Sequence, residues 1–410
     1  MPPVPATIRI QSSSPSMTAT ITSVLIVGAG PAGLGVAAAL KRAGVIDLLV
    51  VDTREIGAAF RAWPAQMKFI TPSFHSNNFG LTDLNAIDPE TSPADFLRTQ
   101  HPTGPQYAKY LETTAAHFQL PVKTGIEITA LEKIADRFLA TTNKGVIEAE
   151  YVVWTTGQFF TPRSHEFPGA HHALHSSHVR DWSTLKGDDF TIIGGYESGV
   201  DAALNLIQLG KSVRLISRGE PWSSDHPDPS RSLSPRTFDR LRELLQTPEK
   251  ATNLEFIKNT EIRVIESGAG WWSLRDQDDF PHTSLTRPIL ANGFTGGLSR
   301  IANLFARDSH NRPVFTEEAD ESTLTENLFY SGPELVHRSS LFCFIYKFRA
   351  RFGVIAHEIA TRSGKPDVDE KLLPYLKAGF MNTDLDCCTD CQCAIEPANA
   401  APQTTAFAET

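Results

Sequence analysis

Cysteine is scarce in this chain, with 5 thiols among 410 residues. So few exclude a disulfide-stapled secreted scaffold. Basic residues are not in excess either: 38 Lys and Arg stand against 47 Asp and Glu, a formal net charge of −9. That balance argues against a nucleic-acid partner, which would select a basic face. The Pro-, Ser- and Thr-rich first 20 residues hold no continuous apolar stretch, so no secretory signal is expected and residues 1–20 read as a disordered tail. One charge-free run, Ile21 to Leu40, has the length of a membrane span. Gly28, Gly30, Pro31 and Gly33 interrupt it, and it reads instead as a buried strand, a tight turn and a helix. A soluble, cytoplasmic protein without a membrane span is the expectation. The remaining composition, 41% hydrophobic and 21% charged, is that of an ordinary globular chain. Its length suits two or three domains of roughly 100–200 residues.

What is present starts with a strand, Ser23 to Val27, running into Gly28-Ala-Gly30-Pro31-Ala32-Gly33. In this G-x-G-x-x-G turn the first glycine makes the bend and the second leaves room for a pyrophosphate against the backbone. The third lets helix and strand pack closely, and the phosphates sit at the positive helix N-terminus. The helix runs through Leu40 and ends near Gly44. A second strand, Ile46–Val51, ends on Asp52 and Thr53, where a carboxylate takes a ribose hydroxyl.

The design recurs at Phe190-Thr-Ile-Ile-Gly194-Gly-Tyr196-Glu197-Ser198-Gly199. Val200 to Leu209 reads as helix, Gly210 as its stop and Val213–Ile216 as the next strand. That strand ends on Ser217-Arg218, where an NAD site usually carries an acid. A hydroxyl and a guanidinium suit a 2′-phosphate, so NADPH is favoured over NADH. Tyr196 replaces the middle glycine, and its side chain either weakens nucleotide binding or stacks on the ligand.

Two such sites in one chain resemble the FAD- and NAD(P)-dependent pyridine-nucleotide oxidoreductase superfamily, which includes thioredoxin reductases and flavin-containing monooxygenases. The resemblance spans about residues 21–362. Ile56-Gly57-Ala58-Ala-Phe60 through Trp63-Pro64 is similar to the GG-x-W loop beside the flavin. Tyr151 to Gly157 resembles the exit from the FAD domain, Leu290 to Phe294 the exit from the nicotinamide domain, and Thr323 to Gly332 the late FAD motif. In that last motif Gly332-Pro333 stands where the family has Gly-Asp, so a carboxylate contact is missing. The resemblance implies an α/β fold with two Rossmann-like dinucleotide-binding domains, the NAD(P) domain inserted in the FAD domain. Its boundaries are 21–185 and 291–365 for FAD, 186–290 for NAD(P)H, and 366–410 for a C-terminal extension. FAD and NADPH are the implied cofactors.

Within this superfamily the destination of the electrons distinguishes the members. A CxxC in the nicotinamide domain would mark the low-molecular-weight thioredoxin reductases, but residues 188–290 contain no cysteine. Oxygen plus an organic substrate, as in flavin monooxygenases, is the first expectation. Phe167-Pro-Gly169 followed by His175 is similar to the monooxygenase F-x-G-x-x-x-H signature, with a longer spacing. A thiol/disulfide reductase using the C-terminal cysteines is the alternative, and a non-catalytic flavin redox sensor is a third reading. Candidate catalytic residues are His75, in a polar and aromatic loop, and Cys343. By resemblance, Cys343 precedes the last helix, whose N-terminus faces the flavin and would lower a thiol pKa. Cys387, Cys388, Cys391 and Cys393 cluster near the C-terminus, suiting a thiol relay or a soft metal. The expected partner is a small-molecule substrate or a thiol/disulfide acceptor, and a homodimer is compatible with a tail that reaches a neighbouring subunit.

Overall fold

A computed structural model describes residues 19–75, 82–224, 226, 228–338 and 340–385. The first sheet begins with β1 (Thr20–Val27), whose last four residues are buried on both faces, as a central parallel strand requires. Helix α1 (Pro31–Arg42) returns the chain to β2 (Leu48–Asp52). That strand starts two residues later than its apolar run, because Ile46 is 77% exposed and the Asp47 carboxylate accepts hydrogen bonds from the Ser23 amide and hydroxyl. Helices α2 (Ala58–Arg61), α3 (Pro93–Leu97) and α4 (Gly104–His117) follow, α4 starting on a capping box between Thr103 and Gln106. Then come β3 (Val122–Thr124), β4 (Ile128–Ile134), β5 (Arg137–Thr142) and β6 (Gly145–Trp154). The sheet order is β3-β2-β1-β6-β5-β4, parallel from β3 to β6 and antiparallel beyond. The end of β6 pairs in parallel with a strand from far along the chain, Leu328–Tyr330.

Between those two contributions lies a second sheet. Its strands are β7 (Leu174–His175), β8 (Asp189–Ile193), β9 (Ser212–Ile216), β10 (Leu254–Ile257) and β14 (Ile289–Leu290), while β11 (Ile262–Ser267), β12 (Trp272–Asp276) and β13 (Pro281–Ser284), between β10 and β14 in the chain, form a separate antiparallel sheet. The order β10-β9-β8-β14-β7 is parallel throughout. Helix α5 (Glu197–Gln208) links β8 to β9, and α6 (Pro235–Leu245) starts on the Ser234 hydroxyl, which accepts the Thr237 amide hydrogen.

The largest buried apolar cluster draws on residues 24–154 and 298–385, whereas the two clusters of the second sheet draw on 167–291. Helix Phe352–Arg362 closes on α1 at Gly35, where a Cβ would stand 2.0 Å from the Phe352 ring. The extension expected from residue 366 begins with a helix of this same core: Val368, Leu372 and Tyr375 are buried, and the Tyr375 hydroxyl donates to Asp88. No helix among the described residues is long and apolar enough to cross a membrane. The thiols at 387, 388, 391 and 393 and the tail 1–18 lie outside the described residues.

Candidate cofactor-binding site

The first glycine turn separates what the backbone needs from what a ligand needs. Gly28 has φ +119°, and a Cβ there would stand 2.4 Å from the Thr155 carbonyl oxygen. A Cβ on Gly33 would meet the Gly28 carbonyl oxygen at 1.9 Å. Both glycines are therefore demanded by packing. Gly30 is different: its φ of −91° is open to any residue, and a Cβ there would meet nothing within 4 Å. The space over Gly30 is the cradle a pyrophosphate needs. No side chain caps α1 and no acid lies in its first turn, so its free N–H groups are available to phosphate oxygens. At the end of β2 the Asp52 carboxylate accepts the amide hydrogens of Ala29 and Arg54, each at 2.7 Å. Burial pushes its carboxyl above the ordinary value, against the pull of those amides. The turn fits an FAD dinucleotide.

A cavity of about 660 Å³ opens over this turn. Gly28, Gly30, Pro31 and Ala32 form its floor, with Asp52 and Thr53 at one end and Gly157 beyond β6. Phe60, Trp63 and Phe69 form an aromatic wall, the Phe60 ring lying 5.1 Å from Trp63 and 5.5 Å from Phe69 between centroids. Gly332 and Pro333 border it too. The neighbouring Glu334 carboxylate turns to the turn at Gly297, where it accepts the Leu298 amide hydrogen at 3.0 Å. Phe159, Phe160, Phe294, Arg300 and Asp201 also line the cavity. Sequence reasoning named none of these five as lining residues, although Phe294 ends a segment that it singled out and Phe159 lies two residues beyond another.

The second turn repeats the crowding of the first. A Cβ on Gly194 (φ +113°) would stand 2.3 Å from the Ala291 carbonyl oxygen, and one on Gly199 would stand 1.7 Å from that of Gly194. Tyr196 takes the backbone angles of Gly30, with φ −93° and ψ −167° against −91° and −170°. Its hydroxyl is buried without a hydrogen-bond partner among the described residues. Burial, then the nearby Glu197 charge, pushes this phenol well up. Glu197 and Ser198 at the start of α5 line the same cavity as Gly30. The Glu197 carboxylate accepts from the Ser234 amide and, at 2.7 Å, from the Thr237 hydroxyl, and burial pushes it above its usual range. Ser217 is buried at the end of β9, whereas Arg218 extends into solvent 3.7 Å from Glu261.

Cys343 lies on the cavity wall, its sulfur 3.0 Å from the Ser230 hydroxyl. Lys347 donates to Ser230 at 2.8 Å and to Asp228 at 2.6 Å. The expected lowering of this thiol's pKa is corrected by the structure: burial pushes it up. The helix that follows, Ile345–Phe348, has four residues and is not the last, so its N-terminal field is small. His75 sits away from the cavity wall, 71% exposed and paired with Asp95. His175 is buried at β7, its Nε2 3.0 Å from the Gly293 carbonyl oxygen, which fixes the chain where it leaves the second sheet. Burial lowers its pKa.

Residues 25–332 match the pyridine nucleotide-disulphide oxidoreductase family. The chain belongs to this family. It is an oxidoreductase whose cofactors are FAD and NAD(P)H. Among curated relatives, bacilliredoxin reductase Bdr of Bacillus subtilis is 24% identical over 82% of this chain and 97% of its own length. An uncharacterized CzcO-like oxidoreductase of Geobacillus kaustophilus is 29% identical over 45% of this chain, which spans about half (51%) of that relative. Among solved structures, the bacillithiol disulfide reductase Bdr of Staphylococcus aureus superposes with a TM-score of 0.68 at 20% identity, covering 84% of this chain and 99% of that one. Kutzneria ornithine N-hydroxylase superposes with a TM-score of 0.63 at 17% identity, over 84% and 100%. Both structures share the fold.

Proposed function

We propose that this family member passes hydride from NADPH to FAD, and electrons onward to oxygen plus an organic substrate. One observation carries the first half: Gly30 of the first turn and Glu197 and Ser198 of the second border a single cavity. Hydride transfer needs the two rings in contact, and a shared cavity supplies that proximity. The parallel part of the first sheet and the parallel second sheet are read as Rossmann-like domains, the NAD(P) domain (186–290) inserted in the FAD domain. FAD, when bound, supplies the two-electron carrier between nicotinamide and acceptor. The chain's own residues do the rest. The free amides of α1 bind the pyrophosphate, and Asp52 orients the ribose through its remaining acceptor capacity. Gly28, Gly33, Gly157, Gly332 and Pro333 shape the cradle, and Thr53 borders the adenosine end. At the second site Gly194, Gly199 and Ser198 bring the backbone to the nucleotide, and Ser217 and Arg218 select the 2′-phosphate.

The aromatic wall of Phe60, Trp63 and Phe69 excludes water, as chemistry with oxygen at the reduced cofactor requires. Burial pushes the Cys343 thiol up, away from the thiolate that a disulfide reductase would use, which also supports this acceptor. A second reading, a thiol/disulfide reductase, draws on the near-complete coverage of Bdr and on the position of Cys343 at the cavity. Anaerobic reduction with NADPH, followed by mixing with oxygen or with a small disulfide, separates the two. The proposal expects oxygen to reoxidise the protein and the disulfide to leave it reduced. Fast reoxidation by the disulfide, lost on changing Cys343 or the four C-terminal cysteines to Ser, would establish the second reading.

A further inference from the structure

A second cleft, of about 680 Å³, opens beside the first. The turn after β2 and helix α2 give one wall, with Arg54, Glu55 and Arg61. The segments after β6 and β7 give the other, with Phe160, His178 and Arg180. Thr53, Arg54 and Phe160 belong to both cavities, so the cleft meets the flavin cavity at its Asp52 end.

Positive charge collects here in a chain whose net charge is −9. Three guanidinium groups and an imidazole line the cleft, with Glu55 as the one carboxylate among its lining residues. Arg61 is engaged by Glu112. Arg54 and Arg180 have no carboxylate at ion-pair distance among the described residues. Arg180 instead donates to the carbonyl oxygens of Ala62 at 2.5 Å and Ser177 at 2.7 Å, which aim the guanidinium without cancelling its charge. Arg54 lies 4.2 Å over the centroid of the Phe160 ring, itself 43% exposed. Two oriented guanidinium forks beside an open aromatic face match the oxygen pairs of phosphate or carboxylate groups.

We propose that this cleft binds a small organic polyanion, a molecule with at least two phosphate or carboxylate groups, while FAD occupies the neighbouring cavity. Arg54 and Arg180 hold the anionic groups, and Phe160 covers the carbon skeleton. Because Arg54 borders both sites, occupancy of the cleft and of the flavin cavity is coupled, each ligand changing the other's affinity by the same factor.

Calorimetric titration of FAD-loaded protein at low ionic strength, with sodium pyrophosphate and separately with citrate, tests this. Saturable binding of at least one is expected, and the stronger of the two identifies phosphate or carboxylate as the preferred group. Arg180→Gln should weaken it about tenfold, as loss of one charged hydrogen-bonding group does. Arg54→Gln should do the same, and Lys250→Gln, in the exposed segment before β10, should not. Arg180 lines the cleft and not the flavin cavity, so its effect is independent of FAD retention, which absorbance reports for each variant. No saturable heat with either anion would overturn the proposal, as would affinities unchanged in both arginine variants. Binding to FAD-free protein alone would also overturn it, because the anion would then be standing in for the cofactor's phosphates.

Discussion

Replacing Gly30 with Ala separates the demands of the fold from those of the cofactor. The residue has φ −91° and ψ −170°, which alanine adopts freely, and its Cβ would meet no atom within 4 Å. Exchanging Gly for Ala at this uncapped helix start costs only about 0.5–1 kcal/mol of stability. If the pyrophosphate crosses the open face of Gly30, the added methyl pushes it off the α1 amides. One lost hydrogen bond to a charged group is worth about 1.5–3 kcal/mol, so FAD binding should weaken roughly 10- to 100-fold. Gly33→Ala supplies the contrast. Its Cβ would stand 1.9 Å from a backbone oxygen, so the turn itself must move, at a cost of about 1–3 kcal/mol or more with or without cofactor. Thermal unfolding of the FAD-free proteins and fluorescence titration with FAD measure the two quantities. Wild-type FAD affinity in Gly30→Ala would refute the placement of the pyrophosphate. So would an FAD-free Gly30→Ala as unstable as Gly33→Ala.

The other expectations concern the second site and the contacts across the cavity. Tyr196→Gly, which restores the open face at matching backbone angles, should tighten NADP⁺ binding by about tenfold, read by titration. Arg218→Ala should raise the KM for NADPH about tenfold and leave that for NADH unchanged, since only the former carries the extra phosphate. Lys347→Met leaves Asp228 without its cation. The loss should be about 1–3 kcal/mol, below the full cost of breaking a buried pair because Lys347 is partly exposed. Cys343 should alkylate more slowly in that variant, because the Lys347 charge favours its thiolate. Burial alone would raise the Asp228 carboxyl, but its bonds to Lys347 and Ser230 outweigh burial and hold it below its usual value. A carboxyl held low in the folded state contributes stability that is present above about pH 3.9, the unfolded value, and lost as pH falls through the folded one. Denaturant midpoints measured across the acid range should therefore fall less steeply for Lys347→Met than for the native chain.

Both glycine turns were legible in the sequence because their demands are local. A strand, a positive φ and a close helix crossing each require glycine at a fixed offset, and the two turns meet those demands in the same way. The edges were less legible. Ile46 reads as strand by its apolarity, yet Asp47 turns the chain by accepting from Ser23. Cys343 illustrates a different limit, since its ionisation depends on Ser230 and Lys347 and on burial that no local pattern encodes. His75 looked apt by chemistry alone, but its orientation toward Asp95 is set by tertiary placement. The basic cleft is the clearest case. Arg54 and Arg180 are 126 positions apart, and no spacing rule connects them.

The direct test of a shared cavity is anaerobic stopped-flow reduction of the FAD-loaded protein by NADPH and by NADPH deuterated at the transferred position. Direct hydride passage predicts a single bleaching phase of the flavin band whose rate saturates with NADPH and slows on deuteration. An absence of bleaching by NADPH or NADH, or bleaching with no isotope effect that needs an added mediator, would contradict it.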